Sequence, residues 1–323
     1  MKFCEKLFNE INFEPHSLSP CCNTENTRIP AFPYEGGEID LNEYAKHIAA
    51  CVEELQGETD LCKGCSHLAE IPGFPRMTGQ FTDVLINMHR YFCNSKCVYC
   101  GYWQHPQKGK GYDPLPGLKS LRKQGALAKN CQIAWGGGEP SILPSFEEAS
   151  KWCADNGYRQ HVFTNSLKYS PAITDFISRD QGTMTVSLDC GDPETYKKIK
   201  GLDGFASAYA SLKKYADAGA DNMTLKYIVF EQNNNIKDVN NFIATAKRLG
   251  INKIEFSFDF RELNQNKLSD KTILAAAYLL VRAGAEKLEL ASFFIPPKWQ
   301  FKLADCVKEL MGGAEDETSG AKE

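Results

Sequence analysis

A chain of 323 residues, 42% hydrophobic and 24% charged, has the length for one large domain plus a small one and the composition of an ordinary globular protein. A formal net charge of -4 with no dense basic stretch argues against a general nucleic-acid binder, leaving room only for a local basic patch. The start Met1-Lys2-Phe3-Cys4 lacks the apolar core of a signal peptide, and the longest apolar run, residues 273–281, is too short to cross a bilayer, so a cytoplasmic protein is expected.

In chain order, residues 1–78 are rich in proline and cysteine and weakly periodic, except for a helix expected near residues 41–55. They read as a small metal-stapled segment. The 13 cysteines of the chain cannot form a disulfide framework in a reducing compartment, so metal is the better explanation. Cys4, Cys21, Cys22, Cys51, Cys62 and Cys65 crowd this first segment and supply enough ligands for a complete cluster, with a structural zinc as the alternative.

The run Cys93-Asn-Ser-Lys-Cys97-Val-Tyr-Cys100 is the most informative stretch of the chain. Three thiolates this close hold three irons of a four-iron cluster and leave the fourth open to a cofactor. A zinc knuckle using His89 or His105 as fourth ligand is the competing reading. Cys131, Cys153, Cys190 and Cys306 are scattered, and Cys190 reads either as a hydrogen-atom donor or as a small packed thiol.

From Phe81 onward short β-branched runs alternate with helical stretches, the pattern of repeated βα units on a parallel sheet. Strands are expected over 83–89, 132–135, 159–164, 183–189, 223–230 and 253–258. Helices are expected over 115–128, 145–156, 171–178, 205–218, 236–249 and 269–285. The architecture expected is α/β, a partial (β/α)6 barrel over 79–291 with its chemistry at the C-terminal ends of the strands. A short strand at 287–290, a short helix at 303–311 and a disordered tail from Gly312 complete the expectation for 292–323 and its approach.

Polar motifs fall at those strand ends. In Trp135-Gly136-Gly137-Gly138-Glu139-Pro140 the glycines allow close backbone approach, and Glu139 can accept hydrogen bonds from an ammonium group. Thr164-Asn165-Ser166 and Ser187-Leu188-Asp189 end the next two strands, either as ligand contacts or as helix caps. Lys226, Asn233, Asp259, Arg261 and Glu262 place charge around the same mouth. Arg261 is the best candidate for gripping an anionic substrate group, because its planar fork pairs carboxylate or phosphate bidentately.

The C-x3-C-x2-C triplet with an aromatic before its last cysteine, followed by Gly137-Gly138-Glu139-Pro140, resembles the radical S-adenosylmethionine (radical SAM) enzymes. That resemblance implies a 4Fe-4S cluster on Cys93, Cys97 and Cys100 and S-adenosyl-L-methionine on its open iron. It implies that the Gly-Gly-Glu-Pro segment holds the methionine amino group, that Tyr99 lies against the adenine, and that Asn165, Ser187 and Asp189 lie near the cofactor. Ser166 stands where relatives often have glycine. It further implies an electron donor such as flavodoxin or ferredoxin, and a 5′-deoxyadenosyl radical that abstracts hydrogen from a small-molecule or peptide substrate. The N-terminal cysteines resemble half of a SPASM or twitch auxiliary-cluster domain, here placed before the barrel, which points to Cys4, Cys21, Cys62 and Cys65 as ligands of a second 4Fe-4S cluster, with Cys22 and Cys51 as substitutes. An auxiliary cluster would suit an oxidoreductase performing net dehydrogenation. A purely structural metal would suit epimerisation, rearrangement or bond formation, and a non-catalytic electron-transfer protein is the remaining alternative.

Overall fold

The computed structural model describes residues 1–21, 29–57, 61–62, 65, 67–73, 75, 78–87, 93–101, 112–292 and 295–319, with side chains to Gly312. Cys22, His89 and His105 lie outside the described residues. The chain divides into two compact units, 1–93 with 105–163 and 171–182, and 94–104 with 164–170 and 183–323.

The first unit contains the strands β1 (Lys2–Phe3), β2 (Glu10–Glu14), β3 (Ser17–Ser19), β4 (Phe32–Pro33), β5 (Ala69–Glu70), β6 (Phe81–Asn87), β7 (Leu127–Gly136) and β8 (Arg159–Thr164). β2, β6, β7 and β8 run parallel in that order, while β3 and β4 extend the β2 edge antiparallel, and β1 pairs with β5. Strand β2 of the N-terminal segment is paired along β6 from Glu10↔Asp83 to Phe13↔Ile86. Its helix Leu41–Gln56 starts where the Asp40 carboxylate accepts the N–H groups of Asn42 and Glu43, and it buries Tyr44, Ile48, Cys51 and Leu55 at helical spacing. Helix Leu115–Lys123 buries Leu115, Leu118 and Leu121 and stops short of the expected 128, since Gly125 turns left-handed at φ +69° and β7 begins at Leu127. A Cβ on Gly117 would stand 2.5 Å from the Phe13 ring, so glycine lets this helix lie directly on β2.

The second unit places β9 (Gly182–Ser187), β10 (Met223–Val229), β11 (Lys253–Phe258) and β12 (Glu289–Ser292) side by side, all parallel. Along β10, Met223, Leu225, Tyr227 and Val229 are buried while Thr224, Lys226 and Ile228 are half-buried, so one face packs on helices and the other carries polar groups. Helix Pro193–Lys200 was not among the expected elements. It has Asp192 as its N-cap, accepting from Glu194 and Thr195 N–H, proline in its first turn, and Gly201 at φ +71° to end it. The last helix spans Pro297–Ser319 in place of a short helix and a tail from Gly312, as the helix-forming Ala314, Glu315 and Glu317 favour. The α/β class with parallel strands is the one expected from the sequence. Among the described residues no helix is long and apolar enough to cross a membrane.

Candidate functional site

In the first unit, β7 delivers the glycine run to its C-terminal end. Gly136 sits where a Cβ would meet Phe163 at 3.3 Å, and Gly137 has φ +70°, so both need glycine. Gly137 and Gly138 are half-exposed, whereas Glu139 is fully buried. Glu139 caps the short turn Pro140–Ile142, its Oε1 accepting from Ser141 N–H at 3.2 Å and from the Ser141 hydroxyl at 2.6 Å. What this segment presents outward is the glycine backbone, with Glu139 fixing its shape from beneath.

The same unit gathers the N-terminal cysteines. Pairing of β1 with β5 sets Phe3 opposite Ala69, Gln56 bonds the Lys2 backbone at 2.9 and 2.6 Å, and Cys65 N–H donates to Cys62 O at 2.9 Å. Burial pushes the Cys4, Cys51 and Cys62 thiols up, and Cys62 also feels Cys65, Cys4 and Cys51. Cys51, a substitute by sequence, is thus close to the expected ligands Cys4, Cys62 and Cys65. Cys21 is buried, with its carbonyl bonded by the Ser19 hydroxyl at 2.9 Å. Among the described residues, no three His, Cys, Asp or Glu side chains close around a single ion. Cys93, the last residue of this stretch, is exposed.

The second unit holds the rest of the cysteine loop, with Cys97 buried and Cys100 half-buried. Cys100 N–H donates to Cys97 O at 3.1 Å. The loop is fastened to the end of helix Pro193–Lys200: Lys96 N–H donates to Lys200 O and Val98 N–H to Ile199 O, both at 2.9 Å, and Ser95 Oγ lies 3.1 Å from Lys200 O and 3.2 Å from Cys97 Sγ. Carbonyls that a helix end leaves unpaired are thereby satisfied by the loop.

Behind the loop lies a buried ionic knot. Lys200 Nζ donates to Asp189 Oδ2 at 2.5 Å and to the Tyr99 hydroxyl oxygen at 2.9 Å; that hydroxyl donates to Asp189 Oδ2 at 2.7 Å. Asp189 Oδ1 accepts from Ile228 N–H and its carbonyl from Asn233 Nδ2, both at 2.8 Å, with Asp189 itself left-handed at φ +62°. Burial works against the Lys200 charge, but the Asp189 carboxylate and the Cys97 thiolate outweigh it and hold the ammonium above its ordinary pKa. Burial and the same carboxylate push the Tyr99 phenol up.

Several sequence candidates change character here. Asp189, expected near the cofactor, is fully buried with both carboxylate oxygens committed to the protein. Cys190, expected as a hydrogen-atom donor, is sealed from solvent with its thiol on the carbonyls of Leu188 and Asp192 at 3.5 and 3.6 Å, so the packed-thiol reading replaces the catalytic one. Asn233 is buried in the β10 turn, bonding Asp189 O and Ile228 O. Asn165 donates to Asn94 Oδ1 at 2.7 Å, tying the end of β8 to the cysteine loop. Ser166 is left-handed at φ +59° and its buried hydroxyl finds no hydrogen-bond partner, the conformation that a glycine would adopt without strain. Ser187 is half-buried at the end of β9, in register with Lys226, whose ammonium pairs with Glu255 at 2.6 Å. Arg261 is 50% exposed after β11; Asp259 grips its fork at 2.6–3.2 Å and raises its pKa, to which Cys100 also contributes. Asp259 is the N-cap of helix Phe260–Asn264, and burial with Asp259 pushes Glu262 up.

Lys200 was missed by the sequence reading. Its signal was there, since Tyr196, Ile199 and Lys200 share one helical face and the first two are apolar. A lysine at a core position needs a buried partner.

The donor set suits an anionic iron-sulfur group. Lys200 sets its ammonium 2.9 Å from the Tyr99 hydroxyl, between Cys97 and Cys100 in sequence, and a cation on the loop suits a group that carries negative charge.

The family model described as the radical SAM superfamily matches residues 88–255, more than half of the chain. A probable GTP 3′,8-cyclase of Saccharolobus islandicus is 27% identical over 168 residues, 51% of this chain and 53% of that protein. The mycofactocin maturase MftC of Mycobacterium tuberculosis is 25% identical over 161 residues, 50% and 40% of the two chains. The chain thus matches about half the length of these relatives or less. Among solved structures, Streptococcus suis SuiB bound to precursor peptide SuiA has a TM-score of 0.54 at 13% identity, covering 86% of this chain and 60% of that one. The structure of anSMEcpe with bound AdoMet and Kp18Cys peptide has a TM-score of 0.51 at 20% identity, covering 64% and 63%. Both likenesses are of fold.

Proposed function

The chain belongs to the radical SAM superfamily, and from that premise we propose that it cleaves S-adenosyl-L-methionine reductively and uses the resulting 5′-deoxyadenosyl radical to take a hydrogen atom from a small-molecule or peptide substrate. Cys93, Cys97 and Cys100 would hold a 4Fe-4S cluster, which, reduced by a donor such as flavodoxin or ferredoxin, would supply the one electron that reductive cleavage of the cofactor requires.

The chain's own residues hold and shield. Ser95, Lys96 and Val98 anchor the loop on the carbonyls of Ile199 and Lys200, and Asn165 holds it at Asn94. The half-exposed backbone of Gly137 and Gly138 receives the methionine ammonium, with Glu139 bracing the turn through Ser141. The outer side of Tyr99 packs the adenine while its hydroxyl is turned inward to Asp189, and half-buried Ser187 meets the ribose or carboxylate. Arg261 faces an anionic substrate group. Peptide recognition draws support from the SuiB structure bound to precursor peptide SuiA and the anSMEcpe structure bound to the Kp18Cys peptide.

The oxidative outcome rests on Cys4, Cys62 and Cys65, with Cys21 or Cys51 as fourth ligand of a second 4Fe-4S cluster. Such a cluster would take up the one electron left on the substrate after hydrogen abstraction, the proton going to solvent, so that the outcome would be net dehydrogenation. The observation that carries the overall reading is the cysteine loop fastened through Lys96 and Val98 to the end of helix Pro193–Lys200, with the Lys200 ammonium on Tyr99. Anaerobically reconstituted protein, reduced with dithionite, is expected to bind about eight irons and to release 5′-deoxyadenosine and methionine. Absence of 5′-deoxyadenosine overturns the reading. Four irons with stoichiometric zinc removes only the dehydrogenation and turns the outcome to epimerisation, rearrangement or bond formation.

A further inference from the structure

We propose that Lys200 is a positioning residue that sets the reduction potential of the cluster held by the Cys93/Cys97/Cys100 loop, its buried ammonium fixed on the Tyr99 hydroxyl of that loop as a counter-charge to the cluster. The inference rests on the cluster assignment above and goes beyond it, since neither the cysteine motif nor the glycine motif contains this lysine.

Four observations converge on it. Lys200 is fully buried at the last turn of its helix, a place where a lysine ordinarily reaches solvent. Its ammonium interacts electrostatically with Cys97, and its backbone carbonyl receives Lys96 N–H and lies within hydrogen-bond distance of the Ser95 hydroxyl. That hydroxyl is also 3.2 Å from Cys97 Sγ, so sulfur, hydroxyl and helix end form one contact set. Asp189 and Tyr99 then hold the ammonium in place, and Asp189 is itself fixed by Ile228 N–H and by Asn233. A mere solvent-excluded ion pair would have no need of a third partner on the cysteine loop.

The physics gives the sign. One-electron reduction adds negative charge to an already anionic thiolate cluster, and a cation held nearby in a low-dielectric setting stabilises that added charge. Lys200 therefore raises the potential and Asp189, the opposing charge, lowers it.

The test uses the full chain, reconstituted anaerobically and poised with dithionite and mediators, following the reduced-cluster electron paramagnetic resonance signal that changes on adding S-adenosyl-L-methionine. Lys200→Gln is expected to lower the midpoint so that the reduced fraction at a fixed poise falls about tenfold, equivalent to about 59 mV for one electron. Lys200→Arg, which keeps the charge, is expected to retain the wild-type potential, an outcome a purely structural role would not require. Asp189→Asn is expected to move the midpoint the other way, because it leaves the ammonium unopposed. Should Lys200→Gln fail to fold, Asp189→Asn carries the test alone, and an unchanged or lowered midpoint in it overturns the inference. A wild-type protein with no cofactor-sensitive cluster signal would instead refute the cluster assignment on which the inference stands.

Discussion

The chain carries two groups of cysteines in opposite electrostatic settings. The central loop has cations supplied from elsewhere in the fold, with Lys200 toward Cys97 and Arg261 toward Cys100. The N-terminal thiols mainly face burial and one another, and all three of Cys4, Cys51 and Cys62 are pushed upward, with Lys6 easing only Cys4. The first arrangement has a fixed cation prepared beside its loop, the Lys200 ammonium on the Tyr99 hydroxyl. In the second the buried thiols must give up their protons to bind a metal, so uptake there depends on pH.

Removing the prepared site should have the largest effect. A Cys93/Cys97/Cys100 triple alanine variant is expected to lose 5′-deoxyadenosine formation entirely while retaining about four irons at the other group; turnover like that of wild type would break the assignment. The reciprocal variant, Cys62→Ala with Cys65→Ala, is expected to lose the other four irons and keep cofactor cleavage, as judged by iron analysis and product chromatography. Loss of both cluster signals in either variant would merge what the comparison separates.

The knot behind the loop comes next. Asp189→Ala strands a buried ammonium and is expected to cost about 3–5 kcal/mol in urea denaturation. Removing one partner of an exposed pair such as Lys213–Asp217, each more than 60% exposed, should cost less than about 1 kcal/mol. Equal costs would mean that the knot is open to water.

The smallest effects sharpen the contrast. Glu139→Ala removes a turn cap and is expected to weaken cofactor binding by about 1 kcal/mol in a titration, through a loosened glycine segment. A loss of about 3 kcal/mol would instead indicate a direct charged contact. For the N-terminal thiols the raised pKa values mean that the fold holds protons which the unfolded chain releases above its ordinary thiol pKa. Stability of the metal-free protein from these groups is present below that pH and declines above it, whereas metal uptake, which needs thiolates, strengthens as pH rises. Denaturation and metal titration at two pH values on either side of 9 check both slopes.

Much of this was legible without coordinates because local chemistry decided it. Strands 159–164 and 253–258 and helix Pro171–Ser178 fall where alternation and apolar spacing put them. β2 was not legible, because Glu10 and Asn12 are buried in it and break the apolar pattern; they pair with each other at 3.0 Å, and Glu10 pairs with Lys6. Asp189 was recognised as a polar strand-end residue, but its role depends on Lys200, which a linear reading takes for one more basic residue at a helix end. The left-handed backbone at Ser166 explains in retrospect why glycine is common there, a constraint that the letter serine conceals.

The anchors of the cysteine loop have a bearing on how the protein is made. Ser95 meets the Lys200 carbonyl across 105 residues of chain, Tyr99 meets Asp189 across 90, and Asn94 meets Asn165 across 71. At ordinary translation rates the third cysteine leaves the ribosome on the order of ten seconds before Lys200 does. During that interval the loop has its sulfurs but neither its counter-charge nor its clamp. The loop can be fully anchored only once the chain has been made through Lys200.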